Sequence, residues 1–453
     1  MKFKTTLIIF VVFVALLAFV LLFESKTTQK KEYMKKIVSL SQENITKIAI
    51  DSEEDTVIFE KTNDGTWLIT SPIKTSGDQA EINNLASQFS DLMFERIVEE
   101  TPEDLGKYGI PQIQISIYTS DKADPEKILI GMENPLDNTF FAKKEGEMRI
   151  VLLSSSFKNI LEKKLMDFRN KIVFKFRTDD VQSITASTRS TDWTVVKTDE
   201  EWFLEKPVSS LANSSHFENL LLSLSNLQAQ EFVSEDKTEE ALEETGLNKP
   251  DFLITLHMLE LDTETVFTFH TVKDRTYAAS SSSPKIIRVD QSILDTLDME
   301  LRNLRERRVG GFYSWEVSKM QVLQDDLSLF LAKDEDGIWQ FIEMEGAAVN
   351  REKIDRFIRF FETTEATEMI DPPLDLADFG LDPPQGEMTF WIDEGKEQEK
   401  EVSILIGKKV EDIEQVYVKN KRFEYLFRIN ASFLDDIPKD PADWISKTNS
   451  EEK

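Results

Sequence analysis

The chain of 453 residues contains no cysteine, so it can form no disulfide bond, thiolate metal site, cysteine nucleophile or lipidated N-terminal cysteine. This absence does not identify the redox compartment, because cysteine-free chains occur in oxidising and reducing compartments alike. Histidine is scarce, and His216, His257 and His270 lack the i, i+4 spacing of helical metal ligands. We therefore expect neither a metal site nor a cofactor.

Motifs that carry catalysis or bind phosphate are also missing. The sequence has no Gly-x-Ser-x-Gly, no Walker motif and no dinucleotide-binding glycine pattern. Asp334 and Asp336 precede Gly337 as in a calcium loop, but the remaining ligand spacing and the distal glutamate are absent. The matching Asn63-Asp64-Gly65 indicates a hairpin turn at both places. We expect the protein not to be an enzyme.

Positive charge is limited in most of the chain. The first 36 residues carry a net charge of +5, and the rest, with 47 basic and 82 acidic residues, carries -35. Such a body is repelled by nucleic acid and by anionic lipid headgroups, which argues against a nucleic-acid function. The acidity is explained either by solubility or by partners with basic faces.

One long uncharged hydrophobic segment lies at the N-terminus. Residues 5–23 would extend about 28 Å as a helix, close to the hydrocarbon thickness of a membrane, and no Ala-x-Ala-like cleavage site follows. We predict a transmembrane anchor at 5–23 and a basic juxtamembrane linker at 24–36. The lysines after the segment outnumber those before it, which favours a cytoplasmic body. The very short N-terminal tail resembles a signal anchor, and on that ground we expect the body to be extracytoplasmic.

An internal repeat organises the remaining residues. Its markers are three tryptophans and three glycines, Trp67, Trp202, Trp339, Gly109, Gly246 and Gly380. The tryptophans are 135 and 137 residues apart and the glycines 137 and 134. A period this long predicts globular modules, because solenoid repeats are about 20 to 50 residues long. We predict modules at 37–176, 177–310 and 311–437, and a polar tail at 438–453.

Each module reads as an α+β unit, an antiparallel sheet with a packed amphipathic helix. Ile113, Ile115 and Ile117 alternate with polar residues, as in a strand with one buried face. Helices are predicted by apolar residues at helical spacing. These are Ile82, Leu85, Phe89 and Leu92 in the first module, Phe217, Leu220, Leu221, Leu224 and Leu227 in the second, and Ile354, Phe357, Ile358 and Phe361 in the third.

Two groups of residues could have a role beyond the repeat pattern. The tryptophans could form stacking platforms for sugars, although their place in hairpins favours packing. Arg302, Arg305, Arg307 and Arg308 form the dense basic cluster of the body. They either pair with carboxylates between modules or bind an external anion, and the acidic composition favours pairing. Short helices close the first two modules in similar strings, from which we match Arg169 with Arg302.

The combination of these motifs resembles the bacterial family called domain of unknown function 4340. The residues that carry the resemblance in the first module are Trp67, Pro72, Gly109, Pro111, Gly131 and Arg169. The second module lacks a clear Ile-x-Ile-Gly strand end, and the third lacks the proline five residues after its tryptophan. The resemblance implies a membrane-anchored envelope protein, in some members similar to accessory components of ABC export systems. It implies no catalytic residues.

Two classes of function remain open. One is a non-catalytic scaffold or accessory subunit of an envelope transport complex, with protein partners that include ABC transporter subunits. The other is an envelope ligand-binding or hydrolytic protein with a site between modules, for which the arginine cluster or the tryptophans are the candidate residues.

Overall fold

The computed structural model describes residues 36–53, 55–259, 263–344, 347–392 and 399–446. The predicted span at 5–23, nearly all of the linker at 24–36 and the end of the tail at 438–453 lie outside these ranges. No helix within the described ranges is both long and apolar enough to cross a membrane. The described chain forms two compact units, divided between Lys171 and Ile172.

The first unit contains one antiparallel sheet, whose nine described strands lie in the order β4-β3-β2-β1-β6-β7-β8-β9-β5. The strands are β1 (Ile45–Ser52), β2 (Thr56–Lys61), β3 (Trp67–Ser71), β4 (Thr75–Ser76), β5 (Phe94–Glu99), β6 (Ile113–Thr119), β7 (Glu126–Glu133), β8 (Phe140–Lys144) and β9 (Ile150–Leu153).

The second unit contains two further antiparallel sheets. Nine described strands form the first of them, β10 (Val181–Ser187), β11 (Asp192–Thr198), β12 (Glu201–Lys206), β13 (Ser210–Leu211), β14 (Glu231–Ser234), β15 (Phe252–Met258), β16 (Thr263–Val272), β17 (Arg275–Ser280) and β18 (Ile286–Val289). Eight described strands form the other, β19 (Val317–Gln324), β20 (Leu327–Lys333), β21 (Trp339–Phe341), β22 (Glu368–Ile370), β23 (Gly386–Ile392), β24 (Lys400–Lys409), β25 (Gln415–Asn420) and β26 (Leu426–Asn430).

The strand order is the same in all three sheets. The second sheet runs β13-β12-β11-β10-β15-β16-β17-β18-β14, and the third runs β21-β20-β19-β23-β24-β25-β26-β22. The third differs from the others only in lacking a described strand at the place of β4 and β13. The predicted tandem repeat of antiparallel α+β modules is therefore confirmed.

The described α-helices are α1 (Gln79–Ser90), α2 (Lys158–Leu161), α3 (Leu165–Phe168), α4 (Ser214–Ser225), α5 (Glu239–Thr245), α6 (Ile293–Leu297), α7 (Leu301–Leu304) and α8 (Arg351–Thr363). Shorter 3-10 helices lie at Gln42–Asn44, Gly106–Tyr108, Ser155–Phe157, Thr178–Asp180, Leu376–Phe379, Ala431–Asp435 and Pro441–Trp444.

Each module contains one long helix, which is α1 in the first, α4 in the second and α8 in the third. Each begins after an N-cap side chain, Asp78, Asn213 or Asn350, that accepts hydrogen bonds from backbone N–H groups of the first turn. Such caps satisfy donors that have no partner inside the helix. The apolar residues predicted for the helices are buried, so the helical pattern identified residues of the cores. Leu92 and Leu227, however, lie two residues beyond the ends of α1 and α4.

Candidate functional site

The three repeated tryptophans are packing residues. The side chains of Trp67, Trp202 and Trp339 are 0%, 2% and 4% exposed. Each lies opposite a lysine of the neighbouring strand, in the pairs Lys61–Trp67, Lys197–Trp202 and Lys333–Trp339. The ammonium groups of Lys61 and Lys333 stand 5.2 Å from the tryptophan ring centres, at cation–π distance. Because these rings are enclosed, they cannot serve as stacking platforms.

The repeated glycines cap helical turns. Gly109, Gly246 and Gly380 have φ angles of 64°, 73° and 67°, a left-handed conformation that ends helices and favours glycine. A second glycine position permits a close backbone approach, since a Cβ on Gly131 would lie 2.1 Å from the Tyr108 carbonyl oxygen. The match between these turns agrees with the predicted repeat.

His270 explains why the second module lacks the glycine-ended strand. In the strand pairing, Phe269 of β16 lies opposite Phe252 as Ile130 of β7 lies opposite Ile113. The next residue is Gly131 in the first module and His270 in the second. The imidazole Nδ1 of His270 lies 3.1 Å from the Asp251 carboxylate, and its ring lies against Gly246, so an imidazole side chain stands where the first module has the close backbone approach.

The predicted match of Arg169 with Arg302 is wrong, and Arg305 is the equivalent residue. Arg169 forms an isolated β-bridge with Gly77, and Arg305 forms the corresponding bridge with Ala212. The helices α3 and α7 both end at the residue before these arginines. The match between residues 167–170 and 300–303 is therefore shifted by three residues. This shift is nearly one helical turn.

Arg305 is the most enclosed member of the arginine cluster, at 4% exposure. Its Nη1 and Nη2 donate to the two carboxylate oxygens of Asp371 at 3.0 and 2.7 Å. Its guanidinium carbon lies 4.7 Å from the ring centre of Tyr425. The Tyr425 hydroxyl accepts a 3.3 Å hydrogen bond from the Leu211 N–H, and burial raises the pKa of Tyr425. These contacts join the second module to the third.

Two other arginines of the cluster are also paired. Arg307 Nη1 lies 2.9 Å from Glu365, and its Nη2 donates to the Ala366 carbonyl at 2.7 Å. Arg308 donates to both carboxylate oxygens of Glu306, at 3.0 and 2.5 Å. Arg302 is exposed, and the described chain offers it no ion pair. Three of the four cations therefore follow the predicted pairing with carboxylates, and for Arg305 and Arg307 that carboxylate belongs to the third module.

More contacts that the sequence did not reveal join these two modules. Glu201 accepts from Arg422 at 2.8 Å and lies 3.1 Å from Lys400. The fully buried Asn420 donates to the Val309 carbonyl at 3.0 Å. Since these residues are far apart in the sequence and belong to ordinary residue types, no local pattern distinguishes them.

Two clefts flank the arginine cluster. One, of about 460 Å³, is lined by His216, Asn219, Arg308 and Glu365 among others. The other, of about 400 Å³, is lined by Arg302, Arg305, Met369 and Asp371 among others. His216 Nε2 is buried and has no hydrogen-bond partner within the described residues. Burial lowers the pKa of His216, so the imidazole is neutral at pH 7.

The three histidines lie apart from one another. His257 pairs with Glu264 at 3.2 Å, whereas His216 and His270 have the surroundings given above. Among the described residues, no group of three or more histidine, aspartate or glutamate side chains is arranged to hold a metal ion.

An exposed aromatic pair lies on the segment that leads from the second module into the third. Trp315 is 71% exposed, and its ring stacks on Tyr313 with centres 6.1 Å apart and planes 15° apart. The Arg308 guanidinium lies 5.4 Å from the Tyr313 ring centre. The sequence carried no specific signal for this pair, because Trp193, Trp391 and Trp444 also lie outside the repeat positions.

The family model for a domain of unknown function (DUF4340) matches residues 67–250, 233–370 and 339–450. The first and third matches begin at the repeat tryptophans Trp67 and Trp339. No protein with a curated description matches the chain. A crystal structure of the DNA polymerase sliding clamp from Pseudomonas aeruginosa with ligand is 7% identical, covers 87% of this chain and 93% of the clamp chain, and gives a TM-score of 0.15. That score is too low to support an argument about fold or function.

Proposed function

This chain belongs to the DUF4340 family, and we propose that it is a non-catalytic, membrane-anchored protein that binds other proteins on the extracytoplasmic side. In this role it is a scaffold or accessory subunit of an envelope transport complex of the ABC type. The link to transport comes from the family resemblance, and the binding role comes from the chain's own residues.

The observation that carries the proposal is the structural use of the repeated and clustered residues. The rings of Trp67, Trp202 and Trp339 are buried, and Arg305 and Arg307 hold carboxylates of the next module. A ligand-binding protein that used these groups would have to expose the rings and leave the arginines free to pair with the ligand. Their packing instead supports a protein whose repeated residues build modules and whose surfaces are free to contact partners.

The charge of the body supports protein partners of a particular kind. A net charge of -35 after residue 36 attracts basic faces and repels anionic ones. Association of this kind is fast at low ionic strength and weakens as salt rises. We therefore expect partners with basic surfaces.

The anchor is supported by the uncharged segment at 5–23. Alkaline washing of membranes should leave the chain in the pellet, and protease added to spheroplasts should digest the body. Release of the chain by alkali would show that residues 5–23 do not anchor it in the membrane. Protection from protease would place the body in the cytoplasm.

The binding role is tested by chemical crosslinking of the full chain in its own membranes, followed by mass spectrometry. Recovery of membrane-transport subunits at low salt, with less recovery at high salt, is the expected result. Recovery of the chain alone at every salt concentration contradicts the proposal.

A second candidate function is favoured by one feature, the 460 Å³ cleft lined in part by His216, whose buried Nε2 has no hydrogen-bond partner among the described residues. A cleft of this size can hold a small molecule, and a neutral imidazole offers either a donor or an acceptor. If a ligand binds here, extracts of the natural membrane should raise the unfolding temperature of the chain but not that of a His216→Phe variant.

A further inference from the structure

Trp315 differs from the other tryptophans in its environment. Of the seven in the chain, all within the described residues, five are buried and Trp391 is half-buried, whereas Trp315 is 71% exposed. Exposed tryptophan is uncommon because its large apolar surface is stabilised by burial. Tryptophan, tyrosine and arginine are also the residues most enriched at the energetic centres of protein interfaces.

The exposed ring is presented by a well-anchored turn. The Tyr313 N–H donates to the Glu316 carboxylate at 2.8 Å, and the Glu316 N–H donates to the Tyr313 carbonyl at 3.0 Å. Phe312 before the turn is buried against Phe390, and Val317 after it is fully buried. Since both ends are fixed in the core of the third module, binding would order few additional torsions.

Arg308, Tyr313 and Trp315 lie next to one another in that order, with the cation innermost. Arg308 lies against Tyr313, and Tyr313 lies against Trp315. Arg308 is itself neutralised by Glu306. The stack therefore adds no net positive charge to this surface, and Trp315 is its exposed end.

The geometry of this surface and the charge of the body indicate which kind of partner it would bind. A planar guanidinium stacks on an indole face better than an ammonium group does. A body of net charge -35 favours a cationic partner over an anionic lipid surface. We infer that the Tyr313–Trp315 pair is a docking point for a basic protein face, which places an arginine side chain on the open face of Trp315. This inference rests on the proposed protein-binding function and specifies its surface.

The first test uses two probes of equal charge, a capped tetra-arginine and a capped tetralysine peptide, added to the full chain labelled with 5-fluorotryptophan. The long-range attraction to the acidic body is common to both peptides, but a guanidinium also binds carboxylates bidentately. The part of the arginine preference that depends on Trp315 therefore measures stacking. The tetra-arginine peptide should shift the resonance of residue 315, identified in Trp315→Phe, and should lose about threefold in affinity in Trp315→Ala, whereas tetralysine should lose little. The matched control Ile413→Ala, which removes another exposed apolar side chain, should bind both peptides as the unaltered chain does. An unshifted resonance, or an arginine preference that is the same in Trp315→Ala, overturns the inference.

The second test distinguishes this surface from a lipid contact and from failure of the binding role itself. Vesicles of phosphatidylcholine and phosphatidylglycerol in a 7:3 ratio should leave the residue 315 resonance unchanged. A shift with vesicles but not with tetra-arginine would replace the protein partner with a membrane. In crosslinked membranes, Trp315→Ala should lose most of the partner yield. If the variant keeps the full yield, the docking surface is wrong although the binding role stands. If the unaltered chain yields no partner, the binding role is wrong.

Discussion

The guanidinium group of Arg305 lies 4.7 Å from the ring centre of Tyr425 and holds Asp371 through two hydrogen bonds. Arg305 belongs to the second module, and Tyr425 and Asp371 belong to the third. The arginine cluster is thus mainly a junction between modules, as the acidic composition led us to expect. The equivalent Arg169 forms a bridge with Gly77 in the first module, as Arg305 does with Ala212 in the second.

Removal of the Arg305 side chain should weaken the second unit. In Arg305→Ala the carboxylate of Asp371 loses its partner and Tyr425 loses its cation. We expect a loss of about 2 to 3 kcal/mol, below the range for a fully buried pair because Asp371 is partly exposed. Urea unfolding of the full chain measures this change. The control Arg302→Ala, which removes an exposed arginine three residues away, should change stability by less than about 0.5 kcal/mol.

The repeated tryptophans should be more important for stability than the exposed one. Replacement of Trp67, Trp202 or Trp339 with alanine removes a buried ring and should cost roughly 3 to 5 kcal/mol. Trp315→Ala provides the matched control and should cost less than about 0.5 kcal/mol. Thermal unfolding followed by circular dichroism compares the four variants. Comparable losses in all four would contradict the division into packing and surface tryptophans.

The sequence predicted the modules well because their signals are local and periodic. The helix faces, the turn glycines and the hairpin tryptophans each follow from short patterns that the structure repeats. The equivalence of Arg169 and Arg305 was missed because two similar strings offered an alignment shifted by three residues. The correct alignment follows from the ends of α3 and α7. There the chain pairs with the residue that follows β4 in the first module and β13 in the second.

The site depended on contacts that no local pattern encodes. Pairing of the arginines with carboxylates was expected from composition, but the identity of Asp371 and Glu365 required the fold. Glu201 and Arg422 are more than 200 residues apart in sequence, and their 2.8 Å contact follows only from the packing of one module on the next. Trp315 is one of four tryptophans outside the repeat positions, and its exposure could not be predicted from the sequence.

His216 should make the second unit sensitive to mild acid. Burial lowers the pKa of His216 below its usual value of 6.5, so the unfolded chain takes up a proton more readily than the folded chain. The stabilisation from the neutral imidazole is complete above pH 6.5 and is lost as pH falls through the lower folded pKa. Urea midpoints measured between pH 7.5 and 5 should fall less in His216→Gln than in the unaltered chain. An identical decline in both would show that the imidazole does not titrate as described.

A methyl group at Gly131 or Gly407 should disrupt the turn that the glycine faces. The added Cβ would lie 2.1 Å from the Tyr108 carbonyl oxygen or 2.4 Å from that of Phe379, and backbone atoms cannot move away as a flexible side chain can. We expect each alanine variant to lose about 2 kcal/mol or more. Hydrogen exchange should show the increase in opening first at the adjacent turn. Unchanged protection there would mean that the strand and the turn are farther apart in solution.

Native mass spectrometry of the chain extracted from its membranes is the sharpest test of the proposed protein-binding function. We expect assemblies whose added mass is that of protein subunits, and which dissociate as ionic strength rises, because the body is strongly anionic. A chain that carries only a small molecule, retained at high salt, would rule out this function and favour a ligand site beside His216.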